Sequence, residues 1–446
     1  MERKYAMRRK TAELPAAENR KESPKARREL KWSKLDNTAH LFPVIAGEQM
    51  TNVYRISVTL KEAVDAALLQ QALDTVLPKF DGFNMRLRRG FFWHYFEENG
   101  KSAPKVQQED TFPCRFIRPN RNHSYLFRVT YYKCRINLEV FHVLTDGMGG
   151  VNFLRELTYQ YLRLAHGELK EPGGLSCGTS MNLEDSFLKN YRRRVKKQYK
   201  TRRAYLVKGE KLPGGEVGIL HGYMNIPQLK DVCRAYGASI NEYLVAAYIW
   251  GVYSEHLKCR KVKEPIRVAV PVNLRPYFAS NTTRNFFVMV SAEFCADRED
   301  YTFEEVVAQG KETLRAQMER EHLEKIFSYN VSNQRNLFLR LVPLPLKKPV
   351  MRFVYTRSAL ANTTTLTNIG KLDIAAPYRP YIEQFHAFLS LSVGQHIRCT
   401  VCSYEETLVF TFTYDLADMA VQRGFFRRLS ADGVAVEIES NGVNYG

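Results

Sequence analysis

The residues that could perform chemistry lie in one short segment, 141–150, which reads FHVLTDGMGG. His142 closes a run of alternating apolar residues, so we expect it on the buried face of a strand, held rigidly and partly desolvated. With an unperturbed pKa of about 6.5, histidine is the usual general base at neutral pH. Asp146 follows where the chain must turn, and Gly147 can adopt the positive φ that such a turn needs. The pattern predicts that His142 is a general base and that the Asp146 carboxylate stabilises the turn after it. The alternative is a core histidine followed by an ordinary Asp-Gly turn.

Periodic segments around this motif indicate how it is positioned. Alternating apolar residues predict strands, and apolar residues spaced by three and four predict amphipathic helices. In the first half of the chain these patterns predict strands over 54–60, 91–96, 125–132 and 135–142, and helices over 64–77 and 151–162. This order of strands and helices indicates a mixed α/β unit.

A second unit of similar make-up follows. Capping boxes at 239–242 and 302–305 predict helices that run to about residues 253 and 326. Strands are predicted over 266–270, 286–294, around 366, and over 388–393, 395–403 and 408–414, before a closing helix over 417–429.

Composition divides the chain into four parts. Residues 1–30 are polar and charged without periodicity, which predicts a disordered basic arm. Residues 31–166 form the predicted N-terminal lobe with the motif, and residues 216–446 form the predicted C-terminal lobe. Residues 167–215 are rich in glycine, proline and charge, so they are predicted to be a basic connector, with 187–205 as a candidate surface helix.

The net charge of +19 is concentrated in the arm and in a basic run at 192–203. Such a surface attracts nucleic acid, anionic lipid, acidic proteins and phosphorylated cofactors alike. No recognisable nucleic-acid module is present, so specific nucleic-acid binding is not expected. Residues 337–350, LFLRLVPLPLKKPV, are apolar and basic; they could make a weak contact with a membrane surface or line a substrate channel.

Cysteine usage and hydropathy bear on metal binding and location. Eight cysteines are scattered, and only Cys399 and Cys402 lie close together, without the second pair or the nearby histidines that a zinc site needs. We therefore predict no metal. No apolar run approaches the roughly 18 residues of a membrane span, and no secretory signal opens the chain. Scattered reduced thiols then favour the cytoplasm.

The motif and its flanking elements resemble one superfamily: the chloramphenicol acetyltransferases, the peptide-synthetase condensation domains and the alcohol acyltransferases. Its signature is His-x-x-x-Asp-Gly at a strand end. Segments that resemble its other elements occur in the same order, at 58–87, 237–253, 268–278, 285–291, 367–372 and 408–415. Phe141 stands where many condensation domains carry a second histidine, and the plant signature DFGWG is absent. The resemblance, over residues 31–435, is closest to microbial alcohol acetyltransferase-like proteins.

The resemblance implies a two-lobed α/β fold, each lobe a mixed sheet with flanking helices, and an active-site channel between the lobes. His142 is implied to deprotonate an acceptor hydroxyl, which then attacks an acyl thioester. Asp146 is implied to be structural, pointing toward an arginine that Arg275 matches, although an ordinary turn arginine is equally compatible. Thr367 or Asn368 could donate to the oxyanion, or could belong to a plain strand-end turn.

Three functions follow from these observations. The leading one is O-acyl transfer from acyl-CoA, a co-substrate rather than a bound cofactor, to a small alcohol acceptor. The second uses an acyl group on an acidic carrier protein, for which the basic run at 192–203 would be the docking site. The third is a non-catalytic basic binding protein.

Overall fold

The structure is a computed structural model that describes residues 31–169, 184–192 and 202–443. The predicted arm at 1–30 lies outside the described residues, as do 170–183 and 193–201 of the predicted connector. Within the described part, residues from Trp32 onward form a single compact unit.

Strands and helices are interspersed along the chain, with runs of consecutive strands and of consecutive helices. In the described residues the strands are β1 (Trp32–Lys34), β2 (Val53–Leu60), β3 (Met85–Arg89), β4 (His94–Glu98), β5 (Gln107–Gln108), β6 (Phe127–Tyr132), β7 (Arg135–Phe141), β8 (Gly218–Asn225), β9 (Ile266–Asn273), β10 (Phe287–Phe294), β11 (Thr364–Lys371), β12 (Ile382–Leu389), β13 (Ile397–Tyr404), β14 (Thr407–Tyr414) and β15 (Val436–Ser440).

The α-helices of the described residues are α1 (Phe42–Ile45), α2 (Ala66–Val76), α3 (Gly147–Ala165), α4 (Ser186–Asn190), α5 (Ile226–Ala235), α6 (Ile240–Trp250), α7 (Phe303–Gln317), α8 (Arg320–Arg335), α9 (Leu337–Leu341), α10 (Leu344–Ala359) and α11 (Ala420–Ala431). Helix α6 continues as a π-helical turn over Gly251–His256.

Two large sheets, each covered by helices, organise the fold. The first has the strand order β12-β2-β7-β6-β5, and the second has the order β10-β9-β11-β13-β14-β8-β15. Helix α3 packs on the first sheet with α2 against it, and α6, α7 and α11 pack on the second sheet. A small sheet, β1-β4-β3, accompanies them. Each large sheet buries its own hydrophobic core. The predicted α/β class with mixed sheets and flanking helices is confirmed.

One strand crosses from the second half of the chain into the first sheet. Strand β12 pairs antiparallel with β2, so that Phe385 lies opposite Val58 and Leu389 opposite Tyr54. The predicted boundary between residues 215 and 216 therefore does not assign every strand to the right sheet, because β12 follows that boundary and still belongs to the first sheet. This exchange ties the lobes together beside β7, the strand that leads to His142.

Both faces of β7 are buried, and its polar face carries an ion-pair network. Glu139 is fully buried and pairs with Arg55 and Arg128. Burial alone would raise the pKa of Glu139, but the two guanidinium charges outweigh it and hold the pKa below its ordinary value. The strand therefore sits rigidly between packed layers, which fixes the position of its end.

Several helix and strand limits differ from the sequence-based expectations. The helix from the second capping box ends at Gln317, and a separate helix begins at Arg320. The strand expected over 91–96 begins only at His94. Of the candidate helix at 187–205, the described residues contain only Ser186–Asn190. Both capping boxes are present as predicted.

No helix in the described ranges is long and apolar enough to cross a membrane.

Candidate active site

His142 lies directly after β7, at the junction of the two lobes. Its backbone N–H donates to the carbonyl of Asn52, which continues the pairing of β7 with β2. Phe42 of α1 stacks on the imidazole with ring centroids 4.7 Å apart, and Tyr54 meets it edge-on at 5.2 Å. Phe287 of the second sheet approaches the ring at 5.7 Å. Aromatic walls from both lobes thus hold the ring in a defined orientation.

A hydrogen-bonded chain of three side chains fixes which imidazole nitrogen is free to act. Nδ1 of His142 lies 3.1 Å from Oδ1 of Asn285. The amide nitrogen of Asn285 donates to Oδ2 of Asp36 at 3.0 Å and to the carbonyl of His142 at 3.4 Å. Because these contacts use the amide nitrogen as donor, the amide oxygen must accept from His142. Nδ1 therefore carries the proton, and Nε2 retains a lone pair that can accept a proton.

The environment keeps His142 neutral at physiological pH. Burial lowers the pKa of His142 below its ordinary value, and the positive charge of Arg398 acts in the same direction. Backbone and Asn285 hydrogen bonds and the charge of Asp146 oppose this effect without cancelling it. A neutral imidazole at pH 7 is the form that can accept a proton.

Asp146 performs structural work at the start of α3. It is the N-cap of that helix, and Oδ1 accepts from the backbone N–H of Gly149 at 3.3 Å. Oδ2 accepts from the N–H of Phe286 at 3.2 Å and pairs with Arg275 at 2.9 Å. The structure thus places Asp146 and Arg275 together, and this pair bridges the two lobes.

Arg275 is itself held by the second lobe. Its guanidinium donates to the carbonyls of Thr282 at 2.9 Å and Arg284 at 2.7 Å. These bonds aim the cation at Asp146 and shape the loop that ends at Asn285. The ion pair and the hydrogen bonds of His142 therefore belong to one connected assembly.

The expected positive φ of Gly147 is wrong. Gly147 is the first residue of α3 and is not among the glycines with positive φ. The turn is made instead by the extended Asp146, with φ −84° and ψ −177°, which caps the helix directly. The following glycines matter through close packing: a Cβ on Gly150 would lie 2.7 Å from the Tyr54 hydroxyl.

Gly150→Ala is expected to lower the free energy of unfolding by about 1–3 kcal/mol, because the new methyl group would displace the Tyr54 hydroxyl, which donates to the carbonyl of Asp146 at 2.8 Å. Urea unfolding measures this. Gly310→Ala in α7 is the matched control, since its Cβ would meet only Ile249 at 3.8 Å. The control is expected to gain up to about 1 kcal/mol from helix propensity. Equal stability of the two variants would contradict the close approach at Gly150.

The two candidate oxyanion donors lie on β11, at a bulge between Asn368 and Gly370. Thr367 is half-buried and Asn368 is exposed. Oδ1 of Asn368 accepts from the N–H of Gly370 at 2.8 Å, so its side chain also braces the bulge. The next residue, Ile369, lies beside Gly147, with 3.8 Å from its Cγ1 to a Cβ built there. The described residues show no direct contact of Thr367 or Asn368 with His142.

Arg398 of β13 is a cation near the site that the sequence analysis did not single out. One guanidinium nitrogen donates to the carbonyl of Ser390 at 2.7 Å, and Ser390 in turn bonds to the start of β2. Its Nε is buried, without a hydrogen-bond partner among the described residues. Burial lowers the pKa of Arg398, and among the described residues no carboxylate opposes the effect. An arginine in this state favours the arrival of negative charge.

A small, partly open cleft lies between the lobes beside the motif. Phe83, Met85 and Thr145 line it from the first lobe, and Thr283 and Arg284 line it from the second. His142 is not among the residues that line this cleft.

No cluster of metal-ligating side chains occurs in the described residues. Cys399 and Cys402 are free and buried, and burial raises the pKa of the Cys402 thiol to about 12. They act as core residues of β13.

Comparisons with known proteins add the following. Neither a family model nor a curated protein matches the chain. Among solved structures, it is similar to Fusarium graminearum TRI101 in complex with coenzyme A and deoxynivalenol, with a TM-score of 0.60 and 12% identity over 91% of this chain and 99% of that one. The TRI3 trichothecene 15-O-acetyltransferase of Fusarium sporotrichioides gives 0.56 and 10% identity over 90% and 94%.

The first condensation domain of the calcium-dependent antibiotic synthetase is similar as well. Its TM-score is 0.58 at 13% identity, over 91% of this chain and 99% of that domain. The chain has the chloramphenicol-acetyltransferase-like fold. The predicted two-lobed architecture is thereby confirmed, while at these identities the likeness is one of fold.

Two residues that the sequence analysis missed are connected to His142 by hydrogen bonds. Asn285 lies 143 positions from His142 in the chain, and Asp36 lies 249 positions from Asn285. Burial raises the pKa of Asp36 to about 7, while its bonds from Asn285 and Ala39 oppose the shift. No local sequence pattern predicts these contacts. The only available signal was the position of Asn285 directly before the strand predicted over 286–294.

Asn285→Leu tests the hydrogen-bonded chain. A single hydrogen bond of this kind contributes about 0.5–1.5 kcal/mol, so we expect the rate of a reaction in which His142 is the base to fall on the order of tenfold. The bond also raises the pKa of His142, so its loss should lower that pKa further. The acidic limb of the pH–rate profile should then move to lower pH, with little change in KM. An unmoved limb, or an equal loss in the exposed control Asn333→Leu, would contradict this role.

Proposed function

We propose that the protein is an acyltransferase that moves an acyl group from a CoA thioester to the hydroxyl of an alcohol, with His142 as the general base. The observation that carries the proposal is the hydrogen bond from Nδ1 of His142 to Asn285, which leaves Nε2 as the basic nitrogen. The fold supports it, because similar structures include a trichothecene acetyltransferase and a coenzyme A complex. Acyl-CoA enters as a co-substrate, and no bound cofactor is required.

The reaction balances with one proton carrier. Nε2 of His142 takes the proton of the acceptor hydroxyl while the oxygen attacks the thioester carbonyl, which gives a tetrahedral oxyanion and an imidazolium. Collapse of the oxyanion breaks the C–S bond, and the imidazolium returns its proton to the leaving thiolate. The products are the ester and free CoA, and His142 is regenerated.

The oxyanion needs a donor or a cation during this sequence. Thr367 and Asn368 remain candidates, because the β11 bulge lies beside Gly147. Arg398 is a further candidate, because its charge already acts on His142 and its Nε lacks a partner among the described residues. Asp146 and Arg275 hold the loop in place and take no part in proton transfer.

Incubation with acetyl-CoA and a panel of alcohols tests the proposal. Free thiol release together with formation of the matching ester, seen by mass spectrometry, is the expected result, and the panel identifies the acceptor class. Thiol release without an ester would indicate thioester hydrolysis only. No turnover with any alcohol or amine at saturating acyl-CoA would overturn the CoA-dependent form of the proposal.

A carrier-protein thioester is the second candidate donor. The similarity to a condensation domain favours it, as do the exposed Arg202 and Arg203 at the end of the basic run. Residues 193–201 of that run lie outside the described residues. Carrier proteins are acidic, so transfer from an acylated carrier should weaken sharply with salt, whereas transfer from acyl-CoA should weaken less. The two salt titrations separate the donors.

A further inference from the structure

The outward face of α10 is apolar. Leu346, Val350, Phe353 and Val354 expose 65%, 62%, 66% and 59% of their surface. Val350 follows Leu346 by four residues, and Phe353 and Val354 follow Val350 by three and four. This spacing places all four side chains on one side of the helix. The opposite side, which includes Leu344, Lys347 and Ala359, is buried. A helix that only faced water would carry polar residues on its outer side.

Two neighbouring segments carry further exposed apolar residues. The turn between β3 and β4 exposes 70% of Phe91, and its carbonyl accepts from the N–H of Leu344 at 2.9 Å. The carbonyl of Phe92 accepts from Nζ of Lys347 at 3.2 Å. Helix α9 exposes 83% of Phe338. These residues and the outer face of α10 are called the α10 surface below, and exposed apolar patches of this extent mark interaction sites.

The chain segment that carries most of the α10 surface has charge of one sign. Residues 325–372 contain eight lysines and arginines and no aspartate or glutamate. Lys348, Arg352 and Arg357 form no ion pairs within the described residues. Burial lowers the pKa of Lys348, and the nearby charges of Arg89 and Arg352 lower it further. Like charges held this close favour a polyanionic partner.

We propose that the α10 surface docks on an anionic membrane surface. Apolar side chains on one face, flanked by lysine and arginine and without acidic residues, are the pattern of helices that lie in the headgroup region. The apolar residues would enter the acyl boundary, and the flanking cations would bind anionic headgroups. An acidic protein partner would match the charge but leave the protruding Phe91 and Phe338 without a matching environment.

The same helix reaches toward the candidate active site through its inner contacts. Nε of Arg352 donates to the carbonyl of Val44 in α1 at 2.8 Å, and Phe42 of α1 stacks on His142. The hydroxyl of Tyr355 lies 2.7 Å from that of Ser392. Docking through α10 would therefore bring the site close to the bilayer. The docking itself does not depend on the proposed acyl transfer.

Co-sedimentation of the full chain with vesicles tests the proposal. We expect binding to phosphatidylcholine vesicles that contain phosphatidylserine, and much weaker binding to phosphatidylcholine alone. The double substitution Val350→Glu with Phe353→Glu should reduce partitioning on the order of tenfold or more. Ile438→Glu is the matched control, because Ile438 exposes 52% of its surface on β15, and it should bind as wild type.

A second pair of variants tests the electrostatic part. Arg340→Glu with Arg357→Glu should weaken binding to the mixed vesicles on the order of tenfold or more, whereas Lys230→Glu with Arg260→Glu, an equal charge change elsewhere, should weaken it less. Binding that survives in both α10 variants would assign it to another part of the chain and overturn the proposal. Absence of vesicle binding by wild type at low salt, or a dimer that the Val350→Glu and Phe353→Glu variant dissociates without any vesicle binding, would overturn it as well.

Discussion

Replacement of His142 by alanine is expected to lower kcat/KM for acyl transfer by about 10²–10⁴-fold, the usual contribution of a general base. The reason is that the imidazole of His142 both hydrogen-bonds to Asn285 and stacks on Phe42, and no other described side chain at the end of β7 makes both contacts. KM for acyl-CoA should change little, because the imidazole acts on the acceptor proton. Ester formation at fixed pH, measured over a range of acyl-CoA concentrations, gives both constants.

Two controls make this result specific to His142. His123→Ala removes an exposed histidine from a loop of the same lobe and should leave the rate unchanged. Thermal unfolding of His142→Ala should still show a cooperative transition, at a lower temperature than wild type because the packed imidazole is lost, so that the variant is folded at the assay temperature. A variant that folds normally and retains full activity would show that His142 is a core histidine.

The second large effect is expected at Asp146. Asp146→Ala should reduce the free energy of unfolding by about 3–5 kcal/mol, because it leaves the largely buried Arg275 without its counter-charge. It also removes the N-cap bond to Gly149 and the acceptor for the N–H of Phe286. Acyl transfer should fall with it, since the loop after His142 loses its anchor. Urea unfolding and initial rates measure the two losses separately.

A double-mutant cycle distinguishes the ion pair from other effects. Asp146→Ala with Arg275→Met should be less destabilised than the sum of the single variants, because no unpaired charge remains. Asp231→Ala is the matched control: its pair with Arg234 is exposed on both sides and should be worth at most about 1 kcal/mol. Additive losses at Asp146 and Arg275 would mean that their contact carries no coupling energy.

Local patterns accounted for the elements around the site. The capping boxes at Ser239 and Thr302 begin helices as expected, since a cap depends only on residues within one turn. The strand that ends at Phe141 follows from its two-residue period. Asp146 was expected at a turn from its spacing to His142, whereas its partner Arg275 was reached only through the resemblance, because their contact joins two lobes.

By itself, the sequence determined most helices and strands, the motif at 141–150 and the excess of lysine and arginine in residues 325–372. Each of these depends on residues within a few positions of one another. The tertiary structure alone decided that Ile382–Leu389 joins the first sheet, because strand period does not specify a partner. It also decided that Asn285 and Asp36 orient His142 and that Arg398 lies nearby. Hydrogen bonds between residues 143 and 249 positions apart arise only when separate elements pack together.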